Sequence, residues 1–353
     1  MDEESGPAAM RPTIRDVARA AGVALSTVSN ALLGRPNVRA ETRERIEAIA
    51  NSLGYRPSPA ARAMRARRSF NVGVLVADVA NPTFSDIVRG IEDVLIVSDF
   101  RLFLCNTDGD IDKQVAYMRD MIDRQVDGLI LLSQNLEDPR IVSILSGDFA
   151  TVAVHRRNLR TRFDYVGLNN ADAIRKAVRH LVELGHKRIG FVRGPQGSTA
   201  AAERLRSFNG AMKASGLTVE PAHIVQGDYK FAGGVKAGRL LLAGPRRPTA
   251  ILASNDLCAI GIMEAASQAG LAVPADLSVI GFDDIFLASL PLVGLTSLHQ
   301  PRREIGAAAA RLLLSRIADP RGAGPARQEI FDAELVIRKT TAPRTVKTGR
   351  AKR

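Results

Sequence analysis

Five side chains able to hydrogen-bond or stack stand just beyond short apolar runs of this chain. Phe84 closes Asn81-Pro82-Thr83-Phe84, Arg204 follows RIGFVRGP, Tyr229 follows HIVQGD, Asn255 ends AILASN and Asp283 ends SVIGFDD. A guanidinium fork, an amide and a carboxylate suit vicinal hydroxyls, and the two aromatic rings offer a stacking face. If the apolar runs are strands of an open α/β sheet, these residues sit where such sheets bind ligands, beyond the strand carboxyl ends. Their neighbours read more plainly: Asp256 as the N-cap of the helix LCAIGIMEA, and Thr83 with Asp86 as a cap pair for the helix after Asn81.

No bond-making chemistry accompanies this set. The run VGVLVADVANP lacks G-x-G-x-x-G, and neither a P-loop nor G-x-S-x-G is present. The 5 histidines are scattered without zinc-type spacing, and the 2 cysteines, Cys105 and Cys258, lie in separate apolar runs and read as buried free thiols. The expectation is a binding protein, not an enzyme, with no cofactor and no metal.

The elements that must position the set begin at Asn71. Ten apolar runs (VGVLVAD, RLFLCN, VDGLILLS, TVAVH, YVGLN, RIGFVRG, HIVQGD, AILASN, SVIGFDD and LTSLHQ) alternate with amphipathic helical stretches. That alternation implies right-handed βαβ units and parallel sheets, and so many strands suit two doubly wound lobes better than one. Lobe one is expected over 71–167 and 300–327, and lobe two over 168–299 and 328–342.

The first sixty residues follow a different pattern. After a disordered lead (1–11), Thr13 and Asp16 form a capping box before Ile14, Val17, Ala18 and Ala21, and Gly22 breaks that helix. A second helix spans Leu25 to Leu32. A third runs from Ala40 to Leu53, with Thr42, Ile46, Ile49 and Leu53 on one face and Gly54 ending it. Two short helices joined by a glycine turn and backed by a third make a helix-turn-helix over 12–57. Ser58-Pro59 then opens a short helical linker, 58–70, marginal by itself.

Charge is concentrated at the ends. Arg11 to Arg68 carry twelve arginines against four acidic residues, and Arg338 to Arg353 carry seven basic residues and no acid, while the whole chain is +12. A basic end on a near-neutral body is the footprint of polyanion binding. The tail from 343 reads as disordered. No apolar run approaches the ~18 residues of a membrane span, and the polar N-terminus, starting at Met1 or Met10, points to the cytoplasm.

The stretches TIRDVARAAGVALSTVSNAL, VRAETRERIEAIANSLGYRPSPAARAM, NVGVLVADVANPTF, HLVELGHKRIGFVRGP, ASNDLCAIGIMEA, VPADLSVIGFDD and LTSLHQP, in that order, resemble the lactose/galactose repressor family of bacterial transcriptional regulators. The resemblance covers about residues 12 to 338. It implies an N-terminal helix-turn-helix headpiece, a hinge helix, and two doubly wound parallel-sheet lobes resembling a periplasmic sugar-binding protein. It also implies a homodimer that represses transcription from a near-palindromic double-stranded operator, under control of a sugar or sugar derivative.

In that family's register Leu25, Ser26 and Asn30 read bases, Thr27 and Ser29 contact the DNA backbone, and Thr13 joins the DNA-facing set. Asn30 suits an adenine edge and Leu25 a thymine methyl. Met64 takes the place of a minor-groove wedge, with Arg62 and Arg65 on phosphates. Arg204, Tyr229, Asn255 and Asp283 match effector contacts, joined by Phe84. His155 stands where the family often has an acidic ligand-binding residue. Two further departures, Ala24 and Arg39 in place of capping serines, each remove a cap worth about 1 kcal/mol.

Overall fold

The structure, a computed structural model, describes residues 12–32, 34–56, 68–132, 136–146, 149–156, 163–319 and 324–344. The chain divides after Ser69 into two units. Arg62, Met64 and Arg65 of the expected linker lie outside the described residues.

The small unit contains α1 (Ile14–Ala21), α2 (Leu25–Leu32) and α3 (Ala40–Ser52). Asp16 starts α1 by accepting from the backbone N–H (2.9 Å) and the hydroxyl (2.7 Å) of Thr13. Gly22 ends it at φ +63°, a conformation that costs glycine little. Each helix buries one large aliphatic completely, Val17, Val28 and Ile46, with Ala18, Ala21, Ala31 and Ala50 filling the gaps. Burying each large side chain contributes roughly 1.5–3 kcal/mol.

α3 has no side-chain cap at Arg39. Arginines brace the unit elsewhere: the Arg45 guanidinium donates to the carbonyl of Ala21 (3.3 Å), and Arg43 donates to the carbonyl of Arg35 (2.7 Å). A cation on the last carbonyls of α1 also complements its dipole. α3 stops at Ser52, and Leu53, expected on its apolar face, is exposed; Ala50, four residues after Ile46, takes the inner position.

The large unit holds two six-stranded sheets. Sheet one comprises β1 (Asn71–Val76), β2 (Arg101–Asn106), β3 (Gly128–Leu132), β4 (Thr151–Val154), β5 (Asp164–Leu168) and β11 (Gln328–Phe331), in the order β11-β5-β4-β3-β1-β2, all parallel. Sheet two comprises β6 (Ile189–Arg193), β7 (Ile224–Gln226), β8 (Ala250–Ala253), β9 (Ser278–Asp283), β10 (Thr296–His299) and β12 (Glu334–Val336), in the order β12-β10-β9-β8-β6-β7, with only β12 antiparallel. The central strands are continuous buried aliphatic runs, as parallel strands covered on both faces must be.

One lobe boundary differs from expectation. Residue 328 does not open the second lobe; β11 pairs with β5, and the chain passes over only at 332–333. The cause is Asp164, whose fully buried carboxylate at the head of β5 accepts from Arg316 (2.8 Å) and Arg327 (2.6 Å) and anchors the approach to β11. β11 alternates exposed and half-buried residues, β12 is a three-residue strand without a buried position, and neither presents a buried apolar run.

Glycines allow two close helix pairs. α4 (Pro82–Val97) lies against α12 (Arg302–Ala318); a Cβ on Gly90 would stand 2.0 Å from the Arg303 carbonyl oxygen, and one on Gly306 2.0 Å from that of Ile87. α9 (Phe231–Leu242) and α10 (Asp256–Gln268) meet the same way through Gly234 and Gly261. Between these pairs run α5 (Ile111–Asp123), α6 (Pro139–Leu145), α7 (Asn170–Glu183) and α8 (Thr199–Ala214), followed by a short α11 (Phe286–Ser289). Both cysteines are buried and outside any disulfide.

Candidate functional site

All six residues expected around a ligand, Phe84, His155, Arg204, Tyr229, Asn255 and Asp283, line one small inner cavity beyond the strand carboxyl ends of both sheets. It shares Asn81, Phe84, Arg156 and Tyr229 with an outer cavity of about 290 Å³. Three of the six hold positive φ, His155 (+60°), Tyr229 (+66°) and Asp283 (+115°). Such backbone costs of order 1–3 kcal/mol per residue and clusters at functional sites.

Asp283, the last residue of β9, joins the lobes. Its Oδ2 accepts from the Thr83 hydroxyl at the start of α4 (2.8 Å), and its Oδ1 accepts from Gln300 Nε2 (2.7 Å). Burial pushes its pKa up to about 6 against the opposing pull of Arg204 and these donors. Thr83 therefore does not cap α4; Asn81 does, accepting from the Thr83 N–H, while Asp86 pairs with Arg302 (2.8 Å).

Arg204 projects from α8. Its Nε donates to Asn170 Oδ1 (2.9 Å), one Nη donates to the Ser254 carbonyl (2.6 Å), and its plane lies 3.4 Å from the Phe282 ring centroid. A stacked, forked guanidinium is held in one orientation, which lysine could not reproduce. Tyr229 folds its ring over Gly194, where a Cβ would fall 2.3 Å from a ring carbon.

Asn255 caps α10 through the Cys258 N–H (3.0 Å) and also donates to the Tyr229 carbonyl (2.9 Å). That replaces Asp256 as the cap. Asp256 is fully buried instead, accepting from the Ser297 hydroxyl and the Ile285 N–H, and burial and the nearby Asp283 raise its pKa well above the usual range.

His155 follows β4. Burial first, then Arg204 and Arg156, push its pKa down to about 3, so the imidazole is neutral, and its Nε2 has no partner among the described residues. Arg156 beside it escaped the sequence reading. It is 5% exposed, donates to the Ser198 hydroxyl, and stands 5.9 Å over the Tyr229 ring. Gln300 escaped too, although it follows β10 and the strand-end rule would have found it. Among the described residues no group of three or more His, Cys, Asp or Glu side chains could hold a metal.

On the small unit, α2 turns Val28 and Ala31 inward. Leu25 (46% exposed), Ser26 and Thr13 face solvent, and Thr27, Ser29 and Asn30 are half-buried beside them. An exposed leucine opening a helix beside hydroxyl and amide side chains is a surface able to meet groove edges and phosphates.

Residues 13–58 match the family model of bacterial regulatory proteins of the lacI family, and residues 178–341 match the periplasmic binding protein-like domain. The ribose operon repressor of Escherichia coli is 36% identical over 87% of this chain and 94% of its own length. Catabolite control protein A of Priestia megaterium is 35% identical over 86% of this chain and 92% of its own. The chain belongs to the LacI family. The solved Lac repressor dimer, bound to operator and the anti-inducer ONPF, superposes with a TM-score of 0.83 at 27% identity, covering 94% of this chain and 99% of that one. As a LacI-family member the chain is a DNA-binding regulator of transcription, with a helix-turn-helix joined to a periplasmic-binding-protein-like core. Among the described residues no helix is long and apolar enough to cross a membrane.

Proposed function

We propose that this protein is a cytoplasmic repressor that binds a near-palindromic operator as a homodimer and is controlled by a sugar or sugar derivative held in the interlobe cavity. The observation that carries the reading is the convergence on one cavity of the four effector-register positions Arg204, Tyr229, Asn255 and Asp283, together with Phe84 and His155. The 12–57 headpiece reads bases with Leu25, Ser26 and Asn30, while Thr13, Thr27 and Ser29 meet the backbone. Residues 58–70 act as the hinge, with Met64 as the wedge and Arg62 and Arg65 on phosphates. The two-lobed core extends to about 342. Within the cavity the Arg204 fork and the Asp283 carboxylate engage hydroxyls and Tyr229 and Phe84 supply faces, with Asn255 and His155 in the wall.

A second copy suits the apolar side chains left in solvent: Phe103 and Leu104 on the edge strand β2, and Phe231 and Leu240 on α9. Because Thr83 and Asp283 tie the lobes through one hydrogen bond, a ligand that competes for Asp283 changes lobe closure, and with it the spacing of paired headpieces.

The test is selection of sites from random DNA by the purified full chain, repeated at raised salt and with a panel of sugars. A palindromic consensus with a pyrimidine–purine step at its centre, lost or gained with one sugar, supports the reading. Absence of any enriched sequence would overturn it.

A further inference from the structure

The inner cavity carries an excess of positive charge, a point that matters only if the cavity is the ligand site argued above. Arg156 and Arg204 are each 5% exposed. Among the described residues the one carboxylate lining the cavity with them, Asp283, has both oxygens occupied by the neutral donors Thr83 and Gln300. Arg204 spends its described hydrogen bonds on neutral acceptors, Asn170 and the Ser254 carbonyl. Arg156 donates to the neutral Ser198 hydroxyl, and its Nε has no partner among the described residues. The three acids that line the outer cavity each hold a local partner: Asp108 has Lys113 (2.7 Å), Asp228 the backbone N–H of Lys230 (2.8 Å) and Asp78 that of Ala80 (3.0 Å).

We propose that the effector is a hydroxylated metabolite bearing an oxyanion, a sugar acid or a sugar phosphate, with its carboxylate or phosphate against Arg156 and Arg204 and its hydroxyls toward Asp283. A buried guanidinium without a counter-charge is strongly unfavourable, and an oxyanion relieves it through short charge-assisted hydrogen bonds. A neutral sugar leaves Arg156 uncompensated. The neutral imidazole of His155 adds a donor or acceptor beside the anion without competing for it.

The test is calorimetry on the full-length protein in chloride buffer with matched triplets: ribose, ribonate and ribose 5-phosphate; glucose, gluconate and glucose 6-phosphate; galactose, galacturonate and galactose 1-phosphate. In at least one triplet an anionic member should bind at least ~10-fold more tightly than its neutral parent, a difference of about 1.4 kcal/mol. Which anionic member wins distinguishes carboxylate from phosphate. Thermal unfolding with sulfate as the probe supplies a readout independent of the panel. Beyond the general stabilisation that sulfate gives any fold, it should raise the melting temperature of the wild type and of Arg156→Lys more than that of Arg156→Met, with Arg156→Gln as the alternative if the methionine variant does not fold. An equal rise in all of them would overturn the oxyanion site. A neutral sugar that outbinds its acid and its phosphate while altering operator binding overturns the charge argument and leaves the sensor reading standing. If no member binds and none alters operator binding, both fall.

Discussion

In the three-helix unit the side chains assigned to DNA stand toward water: Leu25 is 46% exposed, and Ser26 and Thr13 are open beside it. In the large unit the side chains assigned to a ligand are withdrawn: Arg204 and Asp283 are 5% exposed and Asn255 2%. The two regions therefore handle charge under different rules. Exposed arginines of the headpiece remain hydrated, are screened within a Debye length of ~8–10 Å, and contribute a salt-dependent, sequence-tolerant attraction to phosphates. Charges in the cavity are poorly screened, so each must be satisfied by a fixed neighbour or by the ligand. A surface reader needs only a small core of valine, isoleucine and alanine behind it. A buried sensor needs two sheets, close helix pairs and a strained backbone to hold its groups still.

The strongest way to break this comparison is to attack the frame of one unit alone. Gly306→Val places a side chain against the Ile87 carbonyl, where a Cβ already falls at 2.0 Å. Separating α4 from α12 should destabilise the core by more than ~4 kcal/mol. The headpiece, with its own buried cluster, should keep its helices. Calorimetric unfolding followed by residue-resolved amide exchange would check both halves, and simultaneous loss of the two units would show that the headpiece depends on the core.

The same residue type can then be compared across the two regions. Arg204→Met forfeits two hydrogen bonds from a charged donor and the face of Phe282, leaving Asn170 and the Ser254 carbonyl short of a donor. Such losses amount to about 2–4 kcal/mol of stability, and effector binding should vanish. Arg19→Met removes only an exposed contact with Asp16 at 3.6 Å, and chemical denaturation should not resolve it from wild type. Equal effects would mean that the cavity is wetter than its burial implies.

The pH dependence sharpens the contrast further. The Asp283 pKa is raised to about 6 from the ordinary aspartate value of 3.8. Between those values the unfolded chain has lost its proton while the native state keeps it. The contribution of this group to stability is thus fully present only below pH 3.8 and is lost as pH rises through 6. Carboxylates with lowered pKa, such as Asp164 and Asp172 with their arginine and lysine partners, work in the opposite sense. Subtracting an Asp283→Asn variant isolates this contribution: relative to wild type, the variant should gain about 2.4 kcal/mol between pH 4 and pH 7. A difference independent of pH would mean that Asp283 is ionised throughout.

Legibility followed the same division. Ten of the twelve described strands are legible as apolar runs, eight of them because central parallel strands are buried on both faces, while β2 and β7 carry such runs at the sheet edges. β11 and β12 are not, because edge strands with one wet face need no such run, and the ion pairs that seat β11 at Asp164 join residues more than 150 positions apart. The cavity-lining residues at strand ends are readable in sequence. Arg156 is not, since a lone arginine after a histidine carries no periodic signal and only the fold reveals that it is buried. Which residue caps α10 is not legible locally, because Asn255 and Asp256 are equally good caps, and the decision lies with Ser297 and Ile285, distant in sequence.

The smallest effect, and the most specific, belongs to the headpiece. Asn30 sits half-buried near the end of α2, one residue before the buried Ala31. If it pairs with an adenine edge, Asn30→Ala should cost about 1–3 kcal/mol at one position of each operator half-site and relax the preference there, leaving other positions and the salt slope unchanged. Replacing the exposed Arg15 by glutamine should do the converse if it meets phosphate: weaken all sequences alike and lower the salt slope by about 1. Site selection with each variant, followed by binding at two or more salt concentrations, separates the two patterns. Should Asn30→Ala behave like the arginine variant, Asn30 touches backbone, and base reading rests on Leu25 and Ser26 at the exposed start of the helix.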